Sequence, residues 1–278
     1  MTDLMNIKIS SETQISDLKK ARALMKSVIV SNPKSASGWV AAARVEELDG
    51  KFDEARAIMA KACSQFGENE DIWLEAARLS DARDQKAIIA RAIRQMPQSK
   101  KLWLQAAKLE GQESDPVKAR SKKRQVLRRA LEQVPDDLEL WKEAIGLEDE
   151  DGARSLLHRA VKCVPHATEL WLTLAKLEKY DVAKLVLNDA IQALPTDHTI
   201  WTAAAMLEEA NENGAKAADM IKRALKKLTK AGVEVTRDEW LKQAVTAEQA
   251  ETPVTCQAIV DQTLTLGFDS DLAAYESP

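Results

Sequence analysis

Seven tryptophans stand at one phase of a repeat that is too short to be a domain. They are Trp39, Trp73, Trp103, Trp141, Trp171, Trp201 and Trp240, spaced 34, 30, 38, 30, 30 and 39 residues apart. A period in this range is the signature of stacked units rather than of one closed core. Six residues before five of the tryptophans stands a proline (Pro33, Pro97, Pro135, Pro165 and Pro195), and six before Trp73 stands Gly67. Only Trp240 lacks a helix breaker at that position. Breakers at one fixed phase mark where each unit ends and the next begins.

The phase continues downstream. Trp39-Val-Ala-Ala-Ala-Arg-Val-Glu, Trp73-Leu-Glu-Ala-Ala-Arg-Leu-Ser, Trp103-Leu-Gln-Ala-Ala-Lys-Leu-Glu and Trp171-Leu-Thr-Leu-Ala-Lys-Leu-Glu place apolar or small residues at the tryptophan and at +3, +4 and +6. That is the spacing of an amphipathic helix, not of a strand. Glutamate recurs at +7, as Glu46, Glu110, Glu148, Glu178 and Glu208. A second helix follows each tryptophan helix. Counting back from the breaker, its fifth residue is Ala62, Ala92, Ala130, Ala160 or Ala190, and its twelfth is Ala21, Ala55, Ala153 or Ala183, usually followed by Arg or Lys. Alanines seven apart share one helix face and let a neighbouring helix come close. Each unit therefore predicts helix A with its tryptophan, a short turn, and helix B with its alanines. Neither helix can bury its stripe alone, so the units must stack.

The expectation is an all-α fold of about fifteen helices. It has a flexible segment over 1–15, a solenoid over 16–263 made of one lone helix B (about 16–30) and seven helical pairs, and a loose tail over 264–278. The longer spacings predict insertions at Gly111 to Lys118, at the Asn211–Gly214 turn and at the link Lys230 to Glu234. Nine glycines and eight prolines in 278 residues are about half the usual share, which disfavours a many-stranded β fold. Hydrophobic residues at 45% exclude a disordered chain.

No chemistry-bearing motif interrupts the pattern. His158, His166 and His198 have no H-x-x-x-H or Cys–His partner, and no phosphate-binding or nucleophile-elbow loop occurs. No catalytic residue, cofactor site or metal site is expected. Cys63, Cys163 and Cys256 are odd in number and widely spaced, which fits a reducing compartment. No apolar run reaches the roughly 18 residues of a membrane span, and the first residues do not read as a secretory signal. A soluble intracellular protein is expected.

The net charge of −4 creates no global field for nucleic acid. Local basic runs remain. The densest contains Lys118, Arg120, Lys122, Lys123, Arg124, Arg128 and Arg129. It is a candidate contact for RNA phosphate or an acidic partner, or a nuclear-import signal, against the alternative of a solvated helix face. A smaller run over 222–230 reads as a solvated face. Basic residues at +5 (Arg44, Arg78, Lys108 and Lys176) would form a stripe along stacked repeats, against local pairing such as Glu75 with Arg78. The tryptophans, in phase with Ala and Leu, read as core rather than as a base-stacking array. The +7 glutamates read as contacts between repeats rather than as a catalytic row.

Paired helices with Trp in helix A, Glu seven later and Pro closing helix B resemble HAT (half-a-TPR) repeats over about 16–263. The resemblance implies a right-handed superhelical solenoid acting as a nuclear protein-interaction scaffold in RNA processing. Narrower blocks include Asp17-Leu-Lys-Lys-Ala-Arg22, Asp71-Ile-Trp-Leu-Glu-Ala-Ala-Arg-Leu79, Pro195-Thr-Asp-His-Thr-Ile-Trp201 with Leu207-Glu-Glu-Ala-Asn211, Gly232-Val-Glu-Val-Thr-Arg-Asp-Glu-Trp240 and Thr255-Cys-Gln-Ala-Ile259. They resemble the first HAT repeats of the sixth pre-mRNA-processing splicing factor family. That implies membership of the U5 snRNP, bridging to U4/U6 within the tri-snRNP, with other snRNP proteins as partners, possible contact with snRNA or pre-mRNA, and neither a membrane nor a small-molecule substrate. The family is longer, so a fragment is expected, with a short or divergent natural protein as the alternative; the stretch after Ile259 departs from it where another Trp helix belongs. Alternative readings are a HAT scaffold of 3′-end cleavage and polyadenylation or of ribosomal RNA processing, or direct RNA binding through the basic helix. Helix A faces are expected to line the groove that receives partner segments.

Overall fold

The computed structural model describes residues 12–233 and 235–262. Among the described residues there are helices and turns and no strand. The helices are α1 (Glu12–Ser31), α2 (Ala36–Leu48), α3 (Phe52–Gln65), α4 (Glu70–Arg78), α5 (Ala82–Gln95), α6 (Lys100–Glu110), α7 (Pro116–Gln133), α8 (Leu138–Ile145), α9 (Glu150–Cys163), α10 (Thr168–Leu177), α11 (Tyr180–Ala193), α12 (His198–Ala210), α13 (Gly214–Lys230) and α14 (Arg237–Gln249). A further helix occupies 253–262. The order is one lone helix followed by alternating A and B helices, an α-helical solenoid of the expected kind. Helix α1 begins at Glu12, four residues ahead of the expected start near Ser16. The expected loose tail, 264–278, and most of the expected N-terminal segment lie outside the described residues.

The chain divides into two compact units, Met1–Leu140 and Trp141–Pro278. In the first, each helix packs on its chain neighbour, and helices A also meet one another directly, α2 with α4 and α4 with α6. In the second the same rule joins α10 to α12 and α12 to α14. The predicted alanines explain the close approach. Ala62, Ala92, Ala130, Ala160 and Ala190 are wholly buried, as are Ala55 and Ala183. With only a methyl group at the crossing, helix backbones can approach closely.

Local signals set the helix ends. The Asn69 side chain accepts from the Asp71 and Ile72 amides, Ser99 from Leu102, Asp149 from Gly152 and Asp197 from Thr199. Thr236 and Glu239 form a reciprocal capping box at α14. Each satisfies amide groups that a helix start leaves without a partner.

The 38-residue spacing is taken up differently from the expected loop, while the 39-residue spacing has a link after Lys230 as expected. Helices α3, α5, α9 and α11 each have 14 residues, while α7 has 18. Asp115 caps α7 and Pro116 opens it, so much of the predicted insertion becomes an extra helical turn rather than loop. Helix α13 is likewise long, at 17 residues. One turn holds 3.6 residues, so adding about four leaves the buried face where it was.

Candidate functional site

All seven tryptophans are buried, from 1% exposure at Trp141 and Trp240 to 7% at Trp39, Trp103 and Trp171. Their phase with the breakers has a chemical basis that spacing alone does not reveal. The indole Nε1–H of Trp39 donates to the carbonyl of Pro33 at 3.1 Å, Trp73 to Gly67 at 3.0 Å, Trp103 to Pro97 at 2.8 Å, Trp171 to Pro165 at 2.9 Å and Trp201 to Pro195 at 3.2 Å. A buried indole needs an acceptor, and a buried turn carbonyl needs a donor. Gly67 substitutes for proline without loss because the acceptor is main chain. Trp240 instead meets the His198 ring edge-on at 5.4 Å.

The +7 glutamates tie each helix A to the preceding helix B. Glu46 accepts from Arg22 at 2.7 and 2.8 Å, Glu110 from Lys86 at 2.9 Å, and Glu208 lies 2.6 Å from Lys184 and accepts from the Tyr180 hydroxyl at 3.0 Å. Glu178 lies 2.8 Å from His158 Nε2 and 3.8 Å from Arg154. Arg22, Lys86, Arg154 and Lys184 all stand 24 residues before their glutamate. This accounts for the basic residue after the twelfth-position alanine. Where the +7 residue is Ser80, Arg56 turns to the Leu79 carbonyl at 2.9 Å and to Asp81 at 3.2 Å.

The +5 basic residues divide. Arg44 reaches Glu75 at 2.8 Å, and Arg78 bonds both Glu47 (2.8 Å) and Glu75 (3.0 Å), linking α2 to α4. Local pairing of Glu75 with Arg78 is therefore present, but inside a contact between repeats. Lys108 and Lys176 are exposed and make no ion pair among the described residues. Burial alone would raise the Glu75 carboxyl, yet the Arg78 and Arg44 hydrogen bonds hold it below its ordinary value. Glu208 behaves the same way: burial is outweighed by Lys184 and Tyr180.

In the basic helix α7, Lys118, Arg120, Lys122, Arg128 and Arg129 are exposed, whereas Lys123 and Arg124 are half-buried. Lys122 pairs with Glu113 at 2.5 Å and Lys118 with Asp115 at 3.5 Å. Arg124 stands 24 residues before Glu148, the register of Arg22, Lys86, Arg154 and Lys184. The run is therefore not uniform: Lys118 and Lys122 are drawn back to the acidic turn before the helix, while Arg129 faces a groove.

That groove, of about 360 Å³, lies between α5 and α7 over α6. Ile89, Ile93, Trp103, Leu109 and Val126 line it, with Lys86 and Arg129 at the rim. A larger groove of about 670 Å³ lies in the second unit, between α11 and α13 over α12. Leu187, Ile191, Trp201, Leu207 and Met220 line it, with Lys184 and Arg223 at the rim. The correspondence is position by position. Ile89 and Leu187 stand eight before their breaker, Ile93 and Ile191 four before, and Val126 and Met220 just before a buried aliphatic residue. Walls built by successive helices B were not anticipated by the expectation that helices A line the groove. Helix A forms only the floor here, where its groove-lining positions carry the small residues Ala106 and Ala204.

Among the described residues no group of three or more His, Cys, Asp or Glu side chains could hold a metal ion. No described helix is long and apolar enough to cross a membrane.

A tetratricopeptide repeat pattern matches residues 36–79. Over 278 residues, covering 98% of this chain, the sequence is 51% identical to Protein STABILIZED1 of Arabidopsis thaliana. It is 50% identical over 271 residues to pre-mRNA-processing factor 6 of Homo sapiens. The chain thus carries TPR-like repeats and is similar to pre-mRNA-processing factor 6 over nearly all of its own length. A shorter stretch of 86 residues is 44% identical to pre-mRNA-splicing factor prp1 of Schizosaccharomyces pombe. The repeat chain spans about a quarter of the length of its first two relatives, 26% and 28%. The match to the human relative extends over both units, so the Trp–breaker seats and the basic–Glu ties described above all fall within the similar region.

Proposed function

We propose that this chain is a non-catalytic protein-interaction scaffold of pre-mRNA splicing, working in the nucleus and bridging U5 snRNP and U4/U6 snRNP components of the tri-snRNP. The observation that carries the reading is 50% identity to pre-mRNA-processing factor 6 across 98% of the chain. The fold supports it: stacked repeats held by internal ties present an extended, preorganised surface, which is what rigid docking of several partners requires. The mechanism is presentation rather than chemistry. In a pull-down from nuclear extract, the tagged chain retains U5 and U4/U6 proteins; loss of all of them refutes the reading.

Direct RNA contact through α7 is a second reading, favoured by the exposure of Lys118, Arg120, Arg128 and Arg129. Its mark is an RNA affinity that falls steeply with salt and falls again when Lys118, Arg120, Arg128 and Arg129 are neutralised.

A further inference from the structure

We propose that the groove over Trp201 is the docking site for an acidic amphipathic helix of a partner protein. This deepens the scaffold reading, and rests on it, by naming the chemistry of one partner segment.

Three features of the groove select that occupant. The lining is aliphatic, supplied by Leu187, Ile191 and Met220 of the walls and Leu207 of the floor. Apolar side chains entering it from one helical stripe would leave water as they do so. The charge is uneven. Lys184 and Arg223 are already paired, with Glu208 and with Asp219. Lys216, Lys226 and Lys227 make no ion pair among the described residues, although the whole chain carries a net charge of −4. An excess of unpaired lysines at an apolar groove in an acidic chain calls for carboxylates on the partner. The third feature is spacing. Lys216 and Lys226 are ten residues apart on α13, about 15 Å along the helix axis. A partner helix lying along α13 would meet one lysine near each end and apolar floor between, so its acidic residues should stand about ten apart and flank the anchors.

Single-stranded RNA fits less well. Bases without sequence preference stack on open aromatic faces, and Trp201 is 5% exposed with Lys227 Nζ over its ring at 5.1 Å. No ring face is offered along the trench. The first unit builds the same groove with Lys86, Arg94 and Arg129 against the single acid Glu110, but at about 360 Å³ it has roughly half the room.

The probe is a fluorescent helical peptide about four turns long, with leucines on one stripe and glutamates flanking them. A charge-reversed version carrying lysines and an oligouridine RNA are compared with it, all against the full chain. The acidic peptide is expected to bind, with affinity falling on added salt and shifts at the Met220 and Ile191 methyl groups. Lys226→Glu with Lys227→Glu, and separately Met220→Glu, are each expected to weaken it about tenfold or more. All three side chains are half-buried or exposed, and unchanged thermal melts of both variants certify the fold. Absence of binding, equal binding of the lysine peptide, or RNA binding that the same variants abolish overturns the proposal. So does self-association that Met220→Glu removes, which would give the groove to a second copy. The pull-down separates this from the parent reading. If the chain retains splicing proteins and Met220→Glu retains every one of them, the groove assignment fails and the scaffold survives. If the chain retains none, the scaffold reading fails while the peptide titration still decides what the groove binds.

Discussion

Glu47 stands eight residues after Trp39, and Glu209 stands eight after Trp201. In the first unit Glu47 receives Arg78 at the adjoining helix A, as part of an arginine–carboxylate network with Arg44 and the buried Glu75. In the second unit no arginine comes across, because the positions of α14 matching Glu75 and Arg78 are Lys242 and Val245. Glu209 accepts instead from the main-chain amides of Val254 and Thr255 and from the Thr255 hydroxyl, each at 2.7 Å. It caps the helix at 253–262 from 45 residues away. The same position thus carries an ion pair in one unit and a remote N-cap in the other. Register decides where a side chain is delivered; the arriving neighbour decides what it bonds.

The comparison can be broken most forcefully at what the units share. Trp73→Ala and Trp171→Ala, one per unit, should each lower unfolding stability by about 3–5 kcal/mol in urea titration. Equal losses support one common seat; a variant melting like the parent would remove the tryptophan from the core. The contrast itself is sharpened by Glu209→Ala, which strands two helix-start amides and should cost about 1–3 kcal/mol, with faster hydrogen exchange at Val254 and Thr255. Trp103→Phe removes the donor to Pro97 together with part of the buried ring, an expected loss of about 1–3 kcal/mol by thermal melt. Glu47→Ala should cost under about 1 kcal/mol, because Arg78 is 42% exposed, and that cost should shrink further in high salt. A Glu47 effect as large as that of Glu209 would erase the distinction drawn between the units.

Acid probes both units at once. Glu75 and Glu208 are held below the ordinary glutamate value of 4.5 in the folded chain. Their contribution is therefore full above that value and is lost as pH falls below it, since the unfolded chain takes up protons first. Denaturant midpoints should be level near neutrality and fall on acidification below about 4.5, with Glu75→Gln and Glu208→Gln each flattening part of the slope.

Much of the fold was legible because its signals are local. Tryptophan, alanine and breaker positions are properties of single helices, and periodicity reports them. The +7 glutamates were legible as contacts between repeats, although not their partners, because the 24-residue offset becomes visible only once helix B lies beside the next helix A. The indole bond was hidden for a different reason: its acceptor is a carbonyl that every residue possesses, so no residue type announces it. The groove walls escaped because their height depends on what is missing from helix A. Ala106 and Ala204 read as ordinary members of an apolar stripe, and only the packed structure shows the floor they lower. Glu209 could not be read at all, since its partners are backbone amides supplied by another repeat.

The extra turn in α7 says something about length itself. Three units place successive tryptophans 30 residues apart, another 34 and another 38, while the last, at 39, gains a longer link between α13 and α14. These steps of four lie close to the 3.6 residues of a helical turn. Helices of this construction can differ in length only by near-whole revolutions, as a screw accepts a washer of one thread but not of half a thread, whereas links outside the helices are free of that rule. A gain or loss of two residues inside a helix would swing the alanine face away from its neighbour, while a gain of four passes without rephasing anything downstream.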